Sequence, residues 1–373
     1  MRPVAALPIA ALVGLLAAAV FAAGPDVRLL SLSAGPVLLP LLAAAALWLV
    51  WQRHQRSVDT LVLVLLITAA ALAAVRWAHD SLAGEAQLGF WAFVLGLWAL
   101  AWRAVDGLAS IEVGHKGLQR LLGLLVPCVF GLWLLFLWEV AVIGFGVPQV
   151  LLPPPSMIFA KMVGAADVLW ADFWQTFVKA VLSGYVMGCG AGFLAAILVD
   201  RVPFLQRGLL PLGNLVSALP IVGIAPIMVM WFGFDWQSKA AVVVIMTFFP
   251  MLVNCVTGLA ATDAMERELM QTYGASYWQT LVKVRLPAAL PFIFNALKIN
   301  STLALIGAIV AEFFGTPIVG MGFRISTEVG RLAVDMVWAE IVVAAIAGSA
   351  FYGVMALLER FYTFWHPSFR QRR

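Results

Sequence analysis

Three glutamates, Glu139, Glu312 and Glu340, stand in or beside apolar runs, where a carboxyl group is costly unless it is paired, hydrated or turned to a cavity. Acid–base chemistry on a lipid or an isoprenoid is one use for such a trio. That chemistry needs clustered acids or a shared metal motif, and these three are far apart in the chain. All four histidines (His54, His79, His115, His366) fall in loops or the tail, with no HExxH pair. Cys128, Cys189 and Cys255 sit inside apolar runs without a CxxC pair, which argues against disulfides, zinc and iron–sulfur clusters and for helix packing. No Gly-x-x-x-x-Gly-Lys-Ser/Thr loop occurs, so the chain cannot cradle and hydrolyse a nucleotide by itself. Transport or scaffolding remains.

The elements that must position these groups are membrane helices. Of 373 residues, 63% are hydrophobic and 11% charged, and the mean hydropathy is +0.99, beyond what a soluble core and shell produce. Apolar runs predict ten spans, at 4–23, 36–51, 58–78, 87–105, 119–145, 173–199, 208–232, 239–261, 288–311 and 337–359. The ~10-residue amphipathic alternation of a membrane barrel is missing, so the predicted class is all-α. With both termini in the cytoplasm, sixteen basic residues fall on inner segments and seven on outer ones, accounting for all 23. That asymmetry is what the positive-inside rule requires. The charge of +4 is therefore a topology signal and does not indicate nucleic acid. Met1 to Gly24 imitates a signal peptide but reads as a retained first span.

Polar residues inside spans mark a predicted translocation face. Glu139 is placed to line the pathway or to fix the start of an outer loop. Asn300, Ser301 and Thr302 cluster in the ninth span, which Glu312 closes. Ser217, Pro220 and Pro226 break the seventh, freeing carbonyls tolerable only beside protein or a cavity. Arg324 or Arg331 is the predicted partner that neutralises Glu312. Gly184, Gly188 and Gly192 form a GxxxGxxxG stripe, read as close helix packing.

The most specific stretch runs from Asp263 to Pro287. Asp263 with Glu266, and Ser276 with Gln279, are helix-start signals, and Gly274 suits a left-handed helix end. Two short amphipathic helices bent at Gly274 are predicted, the second stopping at Pro287. Such a knuckle presents itself to a cytoplasmic partner. Here the sequence resembles the permease subunits of binding-protein-dependent ABC importers. Their signature, Glu-Ala-Ala, three residues, Gly, nine residues, Ile-x-Leu-Pro, falls on Glu268, Gly274, Val284, Leu286 and Pro287 without a gap, with Leu269 and Met270 in place of the alanines. Leu152 to Ser156, Asp200-Arg201, Pro220 with Pro226, and Glu312 with Gly320-Met-Gly322 are similar to the nitrate, sulfonate and taurine branch.

The resemblance covers about 119 to 373. It implies a type I importer core of six helices at 116–373, preceded by an accessory four-helix region at 1–115 that the usual core lacks. It further implies ATPase coupling through Glu268, Gly274, Ala275, Ser276, Leu286 and Pro287. No cofactor is expected on this chain, with ATP and magnesium on partner ABC ATPases. The other implied partners are an extracytoplasmic solute-binding protein, a second permease copy forming a homodimer, and membrane lipid. The implied cargo is a small oxyanion such as a sulfonate, nitrate or bicarbonate. The Trp365-His366-Pro367-Ser368 tail is closer to members that carry heterocyclic vitamin precursors. A membrane enzyme and a secondary transporter are the competing classes, and the inverted repeat usual in the latter is not visible.

Overall fold

A computed structural model describes residues 57–365, apart from 80–83, 85, 112–115, 218–219 and 316–317. The first two predicted spans, Asp80, Glu85 and His366 lie outside the described residues. Every regular element among those described is helical. Six helices there are long and apolar enough to cross a membrane: Leu88–Ala109, Leu121–Gly144, Ala166–Arg201, Trp236–Ala260, Tyr277–Glu312 and Val334–Tyr362. The chain divides into two compact units, 1–159 and 160–373. The predicted boundary at 115/116 falls inside the first unit.

The first unit contains α1 (Ser57–Trp77), α2 (Leu88–Ala109) and α3 (Lys116–Gly144), with α4 (Pro155–Gly164) beginning at its end. Ile67, Phe90, Phe93, Leu97, Leu100 and Val140 form its core, all fully buried among small alanines. The third predicted span falls on α1.

The second unit is built around α6, α9 and α12. A short α5 (Ala166–Phe173) passes through a π-helical stretch, Trp174–Val181, into α6 (Leu182–Arg201). The seventh predicted span is broken: α7 (Pro203–Ser217) ends at Ser217, and α8 (Ile221–Phe232) starts behind Pro220. Proline has no amide to continue the ladder, so a new helix begins there. α9 (Trp236–Ala260) is capped by Asp235. Then come α10 (Ala264–Thr272), a single turn α11 (Tyr277–Thr280), a second π-helical stretch (Leu281–Arg285) and α12 (Leu286–Glu312). α13 (Met321–Gly330) and α14 (Val334–Tyr362) complete the unit.

The glycine stripe explains why α6 and α9 lie together. A Cβ on Gly184 would sit 2.7 Å from the Ala240 carbonyl oxygen, and one on Gly192 would sit 2.5 Å from that of Phe248. At Gly188 it would meet the Thr247 hydroxyl. Contact numbers rise together along both helices, so α6 and α9 run parallel, and backbone meets backbone along the seam.

Candidate functional site

The segment from Asp263 to Pro287 folds as its capping residues dictate. The Asp263 carboxylate accepts from the Met265 amide at 3.2 Å and starts α10. Gly274 follows with φ +66°, the left-handed region that ends a helix without steric cost only for glycine. Ser276 and Gln279 make a reciprocal capping box, the Ser276 amide donating to Gln279 Oε1 at 2.8 Å. One expectation fails: the helix does not stop at Pro287. The chain stays helical from Tyr277 to Glu312, and Pro287 lies in the first turn of α12, directly after the π-stretch. In the π-stretch the Leu286 amide reaches back five residues to the Leu281 carbonyl, so the ladder is already shifted where Pro287 lacks an amide.

Met265, Leu269 and Tyr273 recur every four residues and are 76%, 55% and 80% exposed, giving α10 and its C-cap one apolar stripe that none of the described residues covers. Ala275, Glu268 and Ser276 lie on the same knuckle, and Leu286 begins the helix behind it.

Behind the knuckle, a polar cluster ties it to the helix ends. The Arg285 guanidinium grips Asp200 with two bonds, Nη1 to Oδ2 at 2.7 Å and Nη2 to Oδ1 at 2.6 Å. It also donates to the Leu259 carbonyl at the end of α9. Tyr277 Oη donates to Asp200 Oδ2 at 2.8 Å, and the Arg201 guanidinium lies 5.5 Å from the Tyr277 ring centre.

The opposite end of the unit holds Glu312. It is 2% exposed, and its partners are not arginines. Thr176 Oγ1 donates to Glu312 Oε1 at 2.7 Å, and the Gly322 amide donates to Oε2 at 2.7 Å. Arg324 pairs instead with Asp172 (Nε to Oδ2, 2.8 Å), and Arg331 with Glu328 three residues before it. Asp172 lies closer to Arg324 because α5 runs beside α13, a neighbour that sequence order does not reveal. Three consecutive amides at the start of α13 are thus held by side chains from elsewhere: Gly320 by Asp172, Met321 by Thr176 and Gly322 by Glu312. Paired with Asp172, the Arg324 guanidinium is held more firmly charged than usual.

Lys239, 1% exposed, donates to the Phe234 carbonyl at 2.6 Å and to the Gly315 carbonyl, fastening the loops before α9 and after α12. Next to it, Asp235 accepts from the Trp236 amide and from Gln175 Nε2, both at 2.8 Å. Those two bonds, the amide first, keep the Asp235 carboxyl below the usual carboxylate range.

The remaining predicted pathway residues are placed as follows. In the first unit, Glu139 accepts from the Ser156 amide (2.9 Å) and hydroxyl (2.6 Å) at the start of α4, and pairs with His79 at 2.7 Å. It fixes the entry to α4, one of its two predicted roles, and His79 belongs to this cluster although its sequence position suggested a free loop. In the second unit, Asn300 is fully buried and donates to the Thr247 carbonyl at 2.8 Å and to Cys189 Sγ at 3.2 Å. Ser301, equally buried, donates to its own helix at Lys298. Asn300 and Glu312 are therefore joined to neighbouring segments and Ser301 to its own helix, and all three are buried among the described residues. Pro220 is exposed at the break, and Ser217 ends α7. Among the described residues no group of three or more His, Cys, Asp and Glu is placed to hold a metal ion.

Sequence reading missed Asp172, Thr176 and Lys239. Asp172 and Lys239 did carry a signal: each is a charge at the edge of an aromatic, apolar run, where a partner is obligatory. Thr176 carried none.

Residues 188–370 match the model of a family described as the binding-protein-dependent transport system inner membrane component. The chain is 30% identical over 241 residues to the formylaminopyrimidine transport permease protein of Halalkalibacterium halodurans, covering 65% of this chain and 96% of that protein. It is 29% identical over 237 residues to the riboflavin transport system permease protein of Chloroflexus aurantiacus, covering 63% and 88%. To the taurine transport system permease protein of Escherichia coli it is 30% identical over 236 residues, covering 61% and 85%. Each alignment leaves more than a third of this chain unmatched.

Proposed function

The chain belongs to the inner membrane components of binding-protein-dependent transport systems, and as such is a multi-pass ABC importer permease and no enzyme; from that premise we propose how it works. The knuckle from Asp263 to Pro287 is the dock for a cytoplasmic ABC ATPase. One observation carries this reading: α10, bent away from α11 at Gly274, presents an apolar stripe of Met265, Leu269 and Tyr273 that none of the described residues covers, on a doubly capped element. ATP and magnesium belong to that partner. This end of the unit then lies in the cytoplasm, with both termini, a reading the charge asymmetry supports. Two copies of the permease, two ATPases and an extracytoplasmic binding protein make the working importer.

The buried polar groups at the other end act as fasteners. Glu312, Thr176 and Asp172 hold the start of α13 in place, and the pathway forms where two copies meet, with Ser217 and Pro220 on that side. Asn300 and Ser301 set helix positions behind it. Residues 1–115 are an accessory module outside the pathway.

The cargo is a small solute chosen by the binding protein. A small oxyanion is the leading reading, supported by the taurine permease, since taurine is a sulfonate. A heterocyclic vitamin precursor is the second, favoured by the relatives named for formylaminopyrimidine and riboflavin. A thermal-shift panel of sulfonates, nitrate, bicarbonate and pyrimidines on the partner binding protein separates them. The dock is tested by a disulfide cross-link from Ala275→Cys to a cysteine placed on the ATPase. A cross-link supports it, and its absence with a fully assembled complex refutes it.

A further inference from the structure

The second half of the knuckle is continuous with the membrane helix Tyr277–Glu312, so its displacement reaches that helix directly; reaching α6 and α9 takes a further contact. α10 has no buried residue, so it cannot push on the helices by packing. The firm attachment lies at its far side, where one carboxylate collects the segment. Asp200, at the end of α6, receives three bonds of 2.6 to 2.8 Å, two from Arg285 and one from Tyr277. Arg285 carries the same contact to α9 through the Leu259 carbonyl, and it is itself the residue before α12. Both partners are partly shielded, with side chains 14% and 13% exposed, where charge-assisted bonds are stronger than at an open surface. The residues that make these bonds stand in the single turn after Gly274 and in the π-stretch that joins it to α12. π-turns of this sort tend to mark working positions in helices.

We infer that Asp200 is a positioning residue of the transport cycle: it gathers Tyr277 and Arg285, so that displacement of the knuckle reaches α6 and α9 together. The glycine seam makes this effective. α6 and α9 touch backbone to backbone at Gly184, Gly188 and Gly192, so a pull on the Asp200 end moves the pair as one body. The inference rests on the knuckle being the ATPase dock.

The test uses the whole importer in proteoliposomes, comparing wild type with Asp200→Asn and Tyr277→Phe. Asn keeps the volume but loses the charge that fixes both Arg285 bonds, and Phe removes one bond only. The readout is solute taken up per ATP hydrolysed, with the Ala275→Cys cross-link measured in parallel. Asp200→Asn should keep the cross-link and the hydrolysis rate while uptake per ATP falls about tenfold, the factor set by losing charge-assisted bonds. Tyr277→Phe should lower it about threefold. A merely structural role would reduce the amount of complex and leave the ratio unchanged. An unchanged ratio in the assembled variants overturns the inference and leaves the dock standing, whereas loss of the cross-link in wild type overturns both. Should Asp200→Asn fail to assemble, Tyr277→Phe decides alone by the same ratio.

Discussion

Replacing Gly188 by alanine tests the seam between α6 and α9. The added methyl would collide with Thr247 Oγ1 and lie 2.9 Å from both Cα and the carbonyl oxygen of Val244. The Thr247 hydroxyl can turn away only by giving up its 2.8 Å bond to the Val243 carbonyl, at about 1 kcal/mol. The Val244 backbone cannot turn away, and must retreat by about 0.5 Å to reach the 3.4 Å of ordinary contact. Forcing a methyl into a filled interior adds roughly 1–3 kcal/mol. The sum is about 2–4 kcal/mol, large against total stabilities of order 5–15 kcal/mol. Gly190, two residues along the same helix, is the internal control, because a Cβ there meets nothing within 4 Å. Thermal unfolding of the purified protein in detergent should show a marked loss for Gly188→Ala and a change within about 0.5 kcal/mol for Gly190→Ala. Adding Thr247→Ala to Gly188→Ala should recover the hydroxyl part, so the pair is non-additive. Equal melting of both glycine variants, or strict additivity with Thr247→Ala, would refute close backbone packing as the basis of the seam.

Thr176→Val removes the donor to Glu312 and the acceptor of the Met321 amide, two buried bonds, and should destabilise by about 2–4 kcal/mol, whereas Thr176→Ser should stay near wild type in the same melting assay. Gly274 has open space around its Cβ but φ +66°, so Gly274→Asn should keep most transport activity and Gly274→Val should lose it through about 1–2 kcal/mol of backbone strain, read as uptake at equal expression. Asp235→Ala should lose the α9 cap, about 1 kcal/mol, seen as a lower melting temperature. Its carboxyl titrates below the ordinary range when folded, so its stabilisation is complete above the unfolded carboxylate pKa near 4 and fades as pH falls through the folded value; the variant should therefore differ from wild type at pH 7 and converge with it in acid.

What could be read from the sequence was whatever depends on local chemistry. The caps at Asp263 and Ser276, the left-handed Gly274, the break at Pro220 and the glycine seam follow from residue types at fixed spacing, and each is present. Partners across the bundle were not legible. Glu312 had to be satisfied, but nothing in the chain order shows that a threonine 136 residues away and a glycine amide would do it in place of the nearby arginines. Asp172 took Arg324 because α5 and α13 are spatial neighbours, a fact of tertiary packing. The continuation of the helix through Pro287 was missed for a subtler reason: a π-stretch before a proline removes the need for a stop, and no residue pattern announced it. The predicted seventh span is broken at Pro220 as expected, but not at Pro226, which lies inside the continuous helix Ile221–Phe232.

The central claim is that this chain carries a solute across the membrane under the drive of an ATPase docked at Asp263 to Pro287. It is tested most directly by solute accumulation in proteoliposomes containing the permease, its ATPase and its binding protein, with wild-type or Gly274→Val permease. Accumulation is predicted to require both ATP and binding protein, and to be abolished by Gly274→Val while hydrolysis by the ATPase persists. Accumulation without the ATPase, or at the wild-type level in Gly274→Val, would contradict the account.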